Sequence, residues 1–152
     1  MALKARYEPL QKKYGLPSFE QLDREFEVGC IEAEDFPLRE IRKKIEEKLK
    51  AMRALLEEVL QPEANLAGIY ESRAFSEDEK KELFELYRKI MSKERQCMQL
   101  LIKNDEQADA AFIKSLSAEW ETLKKELAGA ADKLRDYWEN EKEEHEKLGY
   151  FG

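Results

Sequence analysis

Hydrophobic residues recur every three or four positions along most of the chain, the spacing that places side chains on one face of an α-helix. The clearest stripe comprises Leu38, Ile41, Ile45, Leu49, Met52, Leu56 and Val59. Asp35 is the predicted N-cap of this helix, and Pro37 fits the first turn, where its missing N–H costs no hydrogen bond. Pro62 is expected to end the helix after Gln61.

Two more long helices are predicted in the second half of the chain. Ser76 and Glu79 match a capping box, and the stripe that follows comprises Leu83, Phe84, Tyr87, Ile90, Met91, Cys97, Met98, Leu101 and Ile102. Asn104 and Asp105 are predicted to end this helix and to cap the next one. The last stripe comprises Phe112, Leu116, Trp120, Leu123, Leu127, Ala131, Leu134 and Trp138. It predicts a helix from Asp105 to Lys147 that is about 64 Å long at 1.5 Å per residue.

Shorter segments are predicted to pack on these helices. A short helix over residues 63–71 would carry Leu66, Ile69 and Tyr70. Residues 1–35 are interpreted as an N-terminal arm, with a helix start at Pro17-Ser18 and an apolar side formed by Phe19, Leu22 and Phe26. We expect this arm to pack over the hydrophobic end of the last helix.

These elements predict an all-α fold: an antiparallel bundle of three long helices with short N-terminal and connecting helices. Only 6 Gly and 4 Pro leave little room for a turn-rich β architecture. No internal repeat or linker divides residues 1–152, so a single domain is expected. Because a compact domain of this size has a radius of gyration of about 15 Å, the last helix must project, bend or pack on another chain.

Composition indicates a soluble, cytoplasmic protein with no membrane partner. The chain has 34 acidic and 27 basic residues, a formal net charge of −7. No apolar run approaches the roughly 18–20 residues of a membrane span, and the first residues lack the apolar region of a secretory signal. The abundance of Lys and Glu is shared by thermophilic proteins and by long solvated helices, and the sequence leaves both interpretations open.

Motifs for catalysis and metal binding are missing from the sequence. It contains no glycine-rich nucleotide motif, no H-E-x-x-H and no EF-hand loop. The single histidine, His145, cannot supply the paired Glu-x-x-His ligands of a di-iron bundle, and it is interpreted as a solvated residue near a helix end. Cys30 and Cys97 are interpreted as buried, reduced thiols. We therefore expect no enzymatic activity, no metal and no cofactor.

A polar gap lies within the apolar stripe of the long helix that begins after Ser76. Between Met91 and Cys97 the core position falls to Glu94 or Arg95. One interpretation is a buried polar layer that holds a ligand or ion, or that fixes helix register. The favoured alternative is that both side chains flank the core with their charged heads in water.

A basic face on the 38–60 helix predicts an alternative partner, nucleic acid. This face comprises Arg39, Arg42, Lys43, Lys50 and Arg53, and cations on one helical face can follow phosphates. A solvated face is favoured, because the whole chain is acidic and neighbouring glutamates are spaced for ion pairing along the helix. Residues 136–152 contain six acidic residues and two lysines. This acidic segment could pair with the basic face within the molecule or across a dimer.

The predicted partner interface lies on the last helix and beyond it. Its candidate residues are Leu127, Leu134, Trp138, Tyr150 and Phe151. On a projecting helix, Trp138 would need cover from the arm or from another subunit, because large exposed apolar patches are uncommon on monomers. We expect a non-enzymatic interaction or scaffold protein that self-associates through its long C-terminal helix as a homodimer. A nucleic-acid-associated factor is the alternative.

Overall fold

The computed structural model describes residues 2–62 and 65–140. Within these ranges the chain is helical and contains no strand, which confirms the predicted all-α class. The helices are α1 Ala2–Tyr14, α2 Phe19–Phe26, α3 Pro37–Leu60, α4 Leu66–Ser72, α5 Glu77–Lys103 and α6 Glu106–Glu139. A short 3-10 helix, Val28–Cys30, follows α2.

Helix α3 begins without a side-chain cap. Its N-cap residue is Phe36, which has a left-handed backbone with φ 54° and ψ 63°, and Pro37 follows in the first turn as predicted. Asp35 instead accepts a hydrogen bond from Arg6 of α1 at 3.2 Å. The prediction of Asp35 as the N-cap is therefore wrong, because its carboxylate is directed towards α1.

The buried face of α3 follows the predicted stripe. All seven apolar residues of that stripe are buried, and Arg42 is buried with them. Of the three apolar residues predicted on α4, Tyr70 is buried, whereas Leu66 and Ile69 are exposed. Asn65 caps α4, so the helix begins later than expected, and residues 63 and 64 lie outside the described part.

The capping box of α5 is confirmed, but its buried face differs from the predicted one. Ser76 and Glu79 bond each other's backbone N–H groups. The buried residues are Leu83, Leu86, Ile90, Glu94, Cys97 and Leu100. This is a regular stripe in which a glutamate takes one core position. Because the prediction searched for an unbroken apolar stripe, it assigned Phe84, Met98, Leu101 and Ile102 to the core, and the structure exposes all four.

Helix α6 is capped by Asp105 as predicted, through a bond from the Gln107 backbone N–H. Its buried face matches the predicted stripe at Phe112, Leu116, Trp120, Leu123 and Leu134. Leu127 is half-buried, and Ala130 is buried in place of Ala131. The described part of α6 ends at Glu139. The predicted continuation to Lys147 lies outside the described residues.

The N-terminal arm contacts the first half of α6. Phe26 packs against Trp120 with ring centroids 4.8 Å apart, and the Trp120 indole N–H donates to Glu25 at 2.9 Å. Nearer the start of α6, the Tyr14 hydroxyl donates to Glu106 at 2.9 Å. The arm is therefore fixed well before the last turns of α6.

Helix α4, rather than the arm, covers the last turns of α6. The Trp138 indole N–H donates to Glu71 at 2.9 Å, and its ring lies 4.4 Å from that of Tyr70. The expectation that the arm covers this end is wrong, because Trp120 already provides the arm with an aromatic partner and a hydrogen-bond donor. None of the helices in the described ranges is long and apolar enough to cross a lipid bilayer.

Candidate functional site

A buried ion pair joins α3 to α6 in the core. The Arg42 Nε donates to the Asp109 carboxylate at 2.8 Å, and the two side chains are only 3% and 5% exposed. A second guanidinium nitrogen of Arg42 donates to the Cys97 carbonyl oxygen of α5 at 3.4 Å. One side chain of α3 therefore bonds to both of the other long helices.

Burial and pairing act in opposite directions on Asp109. Burial in the core raises the pKa of its carboxyl above the ordinary value, and the positive charge of Arg42 opposes that increase. The net direction is upward because desolvation disfavours the charged carboxylate more than the single guanidinium favours it. The Asp109 charge therefore depends on Arg42 for its stability.

A second polar cluster joins α3 to α5. The Arg53 Nε donates to Glu94 at 2.7 Å, and another guanidinium nitrogen of Arg53 donates to Glu57 at 2.8 Å. The Tyr87 hydroxyl also donates to Glu57 at 2.8 Å. Arg53 and Tyr87 lower the pKa of the Glu57 carboxyl, and the acceptance by Glu57 raises the pKa of Tyr87. Arg53 bonds to both carboxylates, and Tyr87 supplies a further donor to Glu57. Such cross-helix polar contacts suit a layer that sets helix register.

The two residues proposed for the polar gap have different environments. Glu94 is 4% exposed and lies in the core, whereas Arg95 is exposed. The favoured interpretation, with both charged heads in water, is therefore wrong for Glu94. The partner that binds the Glu94 carboxylate in the core is Arg53 of α3, and Arg95 lies outside the buried layer.

The predicted basic face does not present five open cations. Arg42 is buried, and Arg53 is held by two carboxylates as described above. Arg39 donates to the Asn104 side chain and stacks 4.1 Å from the Phe36 ring. The remaining two are Lys43, which lies 3.4 Å from Glu40, and Lys50, which lies 3.9 Å from Glu46. Each of these cations already contacts another side chain of the protein, so fewer of them are available to contact the phosphates of a nucleic acid.

The predicted partner-interface residues are largely used inside the molecule. Leu134 is buried, Leu127 is half-buried, and Trp138 is 40% exposed beside α4. Tyr150 and Phe151 lie outside the described residues, as does His145. Within the described part, α6 therefore leaves little continuous apolar surface.

The outer side of α5 presents a strip of apolar and basic residues, of which Met91 is half-buried and the others are exposed. We define the α5 strip as Phe84, Arg88, Met91, Arg95, Met98 and Ile102, which share one helical face. Phe84 is 51%, Met98 50% and Ile102 80% exposed. Leu101, which is also exposed, lies beside them. The sequence pattern contains the four apolar residues of this strip, but it assigns them to the core.

Groups suited to hold a metal or a reacting molecule are not assembled in the described ranges. No set of three His, Cys, Asp or Glu side chains is close enough there to bind a metal ion. The groove between α5 and α6, lined by Phe75, Leu86 and Ala130, is crossed by the pair of Lys89 and Glu126 and opens to solvent. It offers packing surface rather than an enclosed site with converging polar groups.

Sequence analysis missed Asp109 as part of the buried layer. Asp109 lies three and four residues before Phe112 and Ile113, so it occupies the core position one turn earlier on α6. Arg42 occupies a core position on α3 in the same way, because it lies four residues after the buried Leu38. Opposite charges at core positions of different stripes are a usable signal for such a pair.

The two cysteines are expected to react differently with a thiol reagent. Cys30 is exposed, contrary to the interpretation of both thiols as buried, and Cys97 is buried. Burial raises the pKa of Cys97 to about 12, which suppresses the reactive thiolate. Ellman's reagent should therefore titrate one thiol rapidly in the folded protein and two after denaturation. Loss of the rapid phase in Cys30→Ser is the matched check, and two rapid thiols in the folded protein would contradict the assignment.

Comparison of the chain with protein-family models, with curated protein sequences and with solved structures gives no match. Its function is therefore inferred from the residues and contacts described above.

Proposed function

We propose that this protein is a non-enzymatic interaction or scaffold protein that self-associates, and that the C-terminal end of its last helix, with the residues beyond it, forms one contacting surface. The observation that carries the proposal is the α5 strip. Large apolar side chains exposed to water are costly, and on monomeric proteins patches of them commonly mark sites of association. A homodimer is the proposed form.

The proposed architecture is an antiparallel three-helix bundle within a single domain. Support comes from the order of the contacts between α5 and α6, where Lys93 pairs with Glu119 and Lys89 with Glu126. Residue numbers rise along one helix as they fall along the other. Arg53–Glu94 and Glu57–Tyr87 give the same order between α3 and α5. A cytoplasmic location is part of the same proposal.

Binding to nucleic acid is not proposed as a second function. The cations of the predicted basic face contact carboxylates, an asparagine or an aromatic ring, as described above. Counterion release by phosphate contacts, the usual driving force of such binding, requires cations that are free to contact phosphates.

Energy transfer between labelled chains tests self-association. Cys30 is the accessible thiol, so one sample can carry a donor dye and another an acceptor at this position. We expect transfer in the mixed samples to increase with protein concentration and to fall when excess unlabelled chain is added. Transfer should be strongly reduced in a chain that ends at Asn140, because that variant lacks Tyr150 and Phe151.

Two outcomes bear on this proposal. Absence of energy transfer at the highest concentration reached would contradict self-association. Equal transfer by the full and shortened chains would contradict the role assigned to the C-terminal residues. Ala54→Glu is a control for surface charge, because Ala54 is exposed on α3, outside both the α5 strip and the end of α6, and its replacement should leave transfer unchanged.

A further inference from the structure

We infer that the α5 strip of one copy packs against the α5 strip of a second copy, with the two helices antiparallel about a two-fold axis. The inference rests on the proposed self-association and specifies the surface that makes the contact. Three observations support it: the spacing of the strip, its match to itself when its direction is reversed, and the charges at its two ends.

The spacing of the α5 strip suits contact with another helix. Phe84, Met91 and Met98 are separated by seven residues each, and the other three members of the strip form a second series with the same spacing. The two series alternate at intervals of four and three residues, which is the heptad pattern of helices that pack along their length. A helix that runs along the strip can therefore contact all six residues.

The strip is complementary to itself when its direction is reversed. If Phe84 faces Ile102 of the second copy, equal steps in opposite directions along the two helices bring the other members of the strip into contact. Three facing pairs result, each occurring twice in a two-fold dimer: Phe84–Ile102, Arg88–Met98 and Met91–Arg95. Shifting one helix by a further seven residues leaves one end of the strip facing a residue outside it. This register is therefore the one that covers the whole strip.

Each facing pair brings compatible side chains together. Phe84 is 51% and Ile102 is 80% exposed, so contact between them removes two large apolar side chains from water. The two arginines can lay their aliphatic stems along the methionines opposite, while their guanidinium groups remain at the solvent-exposed edge. Each arginine faces a methionine in this register, which avoids direct opposition of like charges.

Charges at the two ends of the strip are also complementary. Lys81 is exposed three residues before the strip, and Asp105 is exposed three residues after it, so the same register brings Lys81 near Asp105 of the second copy. Glu85 and Lys103 lie about five turns apart on one flank of α5, and both are exposed. Reversal brings Glu85 of one copy near Lys103 of the other. Complementary charges of this kind fix the register of a contact.

The strip is narrow, which predicts a weak dimer. A face that is one helix wide and about 27 Å long covers roughly 300 Å² per copy, less than the ~800 Å² per partner of a standard interface. The end of α6 lies at the same end of the bundle as Phe84, because Lys133 of α6 contacts Glu79 of α5. The contacting surface proposed at the end of α6 can therefore extend the contact made by the strip.

Two glutamate substitutions distinguish this register from general association of an apolar patch. Ile102→Glu places a carboxylate against Phe84 of the second copy, and we expect it to raise the dimer dissociation constant at least about tenfold, because a charge then replaces an apolar contact. Met98→Glu places a carboxylate against Arg88 of the second copy, and it should leave the constant within about threefold of the wild-type value. Sedimentation equilibrium measures both. Equal weakening by the two substitutions would overturn the register.

Disulfide cross-linking tests which ends of the strip meet. In full-length chains that also carry Cys30→Ser, one sample contains Phe84→Cys and the other contains Ile102→Cys. Oxidation of the mixed samples at high protein concentration should give a covalent dimer of the two variants on a non-reducing gel. Either variant alone should give little, because position 84 of one copy lies about 27 Å from position 84 of the other. Ala54→Cys in place of Phe84→Cys is the control for random collision.

The outcomes separate the inference from the proposed function. Cross-linking of Phe84→Cys with itself would indicate parallel helices and overturn the antiparallel arrangement. A wild type that associates, combined with a mixture that gives no more cross-linking than the Ala54→Cys control, overturns the inference and leaves self-association standing. A wild type that stays monomeric at every concentration overturns both. Circular dichroism checks the folding of each variant, with Ala54→Glu as the control for an added surface charge.

Discussion

Replacement of Arg42 by methionine is expected to lower the free energy of unfolding by about 3–5 kcal/mol, the cost of leaving one charge of a buried pair without its partner. Methionine fills a similar volume, so the loss reports the uncompensated Asp109 carboxylate rather than a cavity. Urea denaturation followed by circular dichroism at neutral pH measures the difference.

Two further variants separate this effect from a general sensitivity of α3. Lys43→Met changes the neighbouring exposed residue and should alter stability by less than about 0.5 kcal/mol. The double variant Arg42→Met with Asp109→Leu removes both charges and should recover most of the loss, since apolar replacements of buried pairs are often neutral. A loss below about 1 kcal/mol for Arg42→Met would contradict the buried pair.

The loss in Arg42→Met should also depend on pH. Removing Arg42 leaves burial unopposed and raises the pKa of Asp109 further above its ordinary value. A carboxyl whose pKa is higher in the folded than in the unfolded state favours folding when protonated, and this contribution declines as pH rises through the folded pKa. The variant should therefore be closest to wild type in acid, near the ordinary pKa of 3.8, and furthest from it at neutral pH. A difference that is constant across this range would contradict the assignment.

Replacement of Trp120 by alanine is the second substitution with a large expected effect. Trp120 is 3% exposed and contacts Phe26 and Glu25 of the N-terminal arm. Truncating a buried tryptophan costs about 3–5 kcal/mol, and the arm should separate from α6 more readily. Limited proteolysis should then cut the connection between α2 and α3 faster than in the wild type.

Conservative and surface variants define the source of this effect. Trp120→Phe keeps a ring against Phe26 but loses the indole donor, so its cost should be about 1 kcal/mol. Trp138→Ala removes a tryptophan that is 40% exposed and should leave cleavage in the arm unchanged. Equal cleavage rates for wild type and Trp120→Ala would contradict the role of Trp120 as the anchor of the arm.

Periodicity alone predicted the helices and most of the core. The stripe of α3 is buried as its spacing requires, and the capping box at Ser76 marks the start of α5 correctly. These predictions are correct because each depends on residues close in sequence, where helical geometry fixes which side chains share a face.

The polar core and the buried face of α5 required contacts that are distant in sequence. Glu94 is tolerated in the core because Arg53 reaches it from another helix, and nothing local to α5 indicates that partner. Without the pair, an apolar stripe through Met98 and Ile102 looked more plausible than one through a glutamate. Placement of the arm failed for the same reason, since Trp120 and Trp138 have equivalent positions on their stripe and only tertiary packing distinguishes them.

Sedimentation equilibrium of the full-length chain over a wide concentration series tests the central claim of self-association most directly. The account predicts that the average mass rises from 17.9 kDa towards twice that value as the protein concentration increases. A mass that stays at 17.9 kDa at every concentration would contradict it.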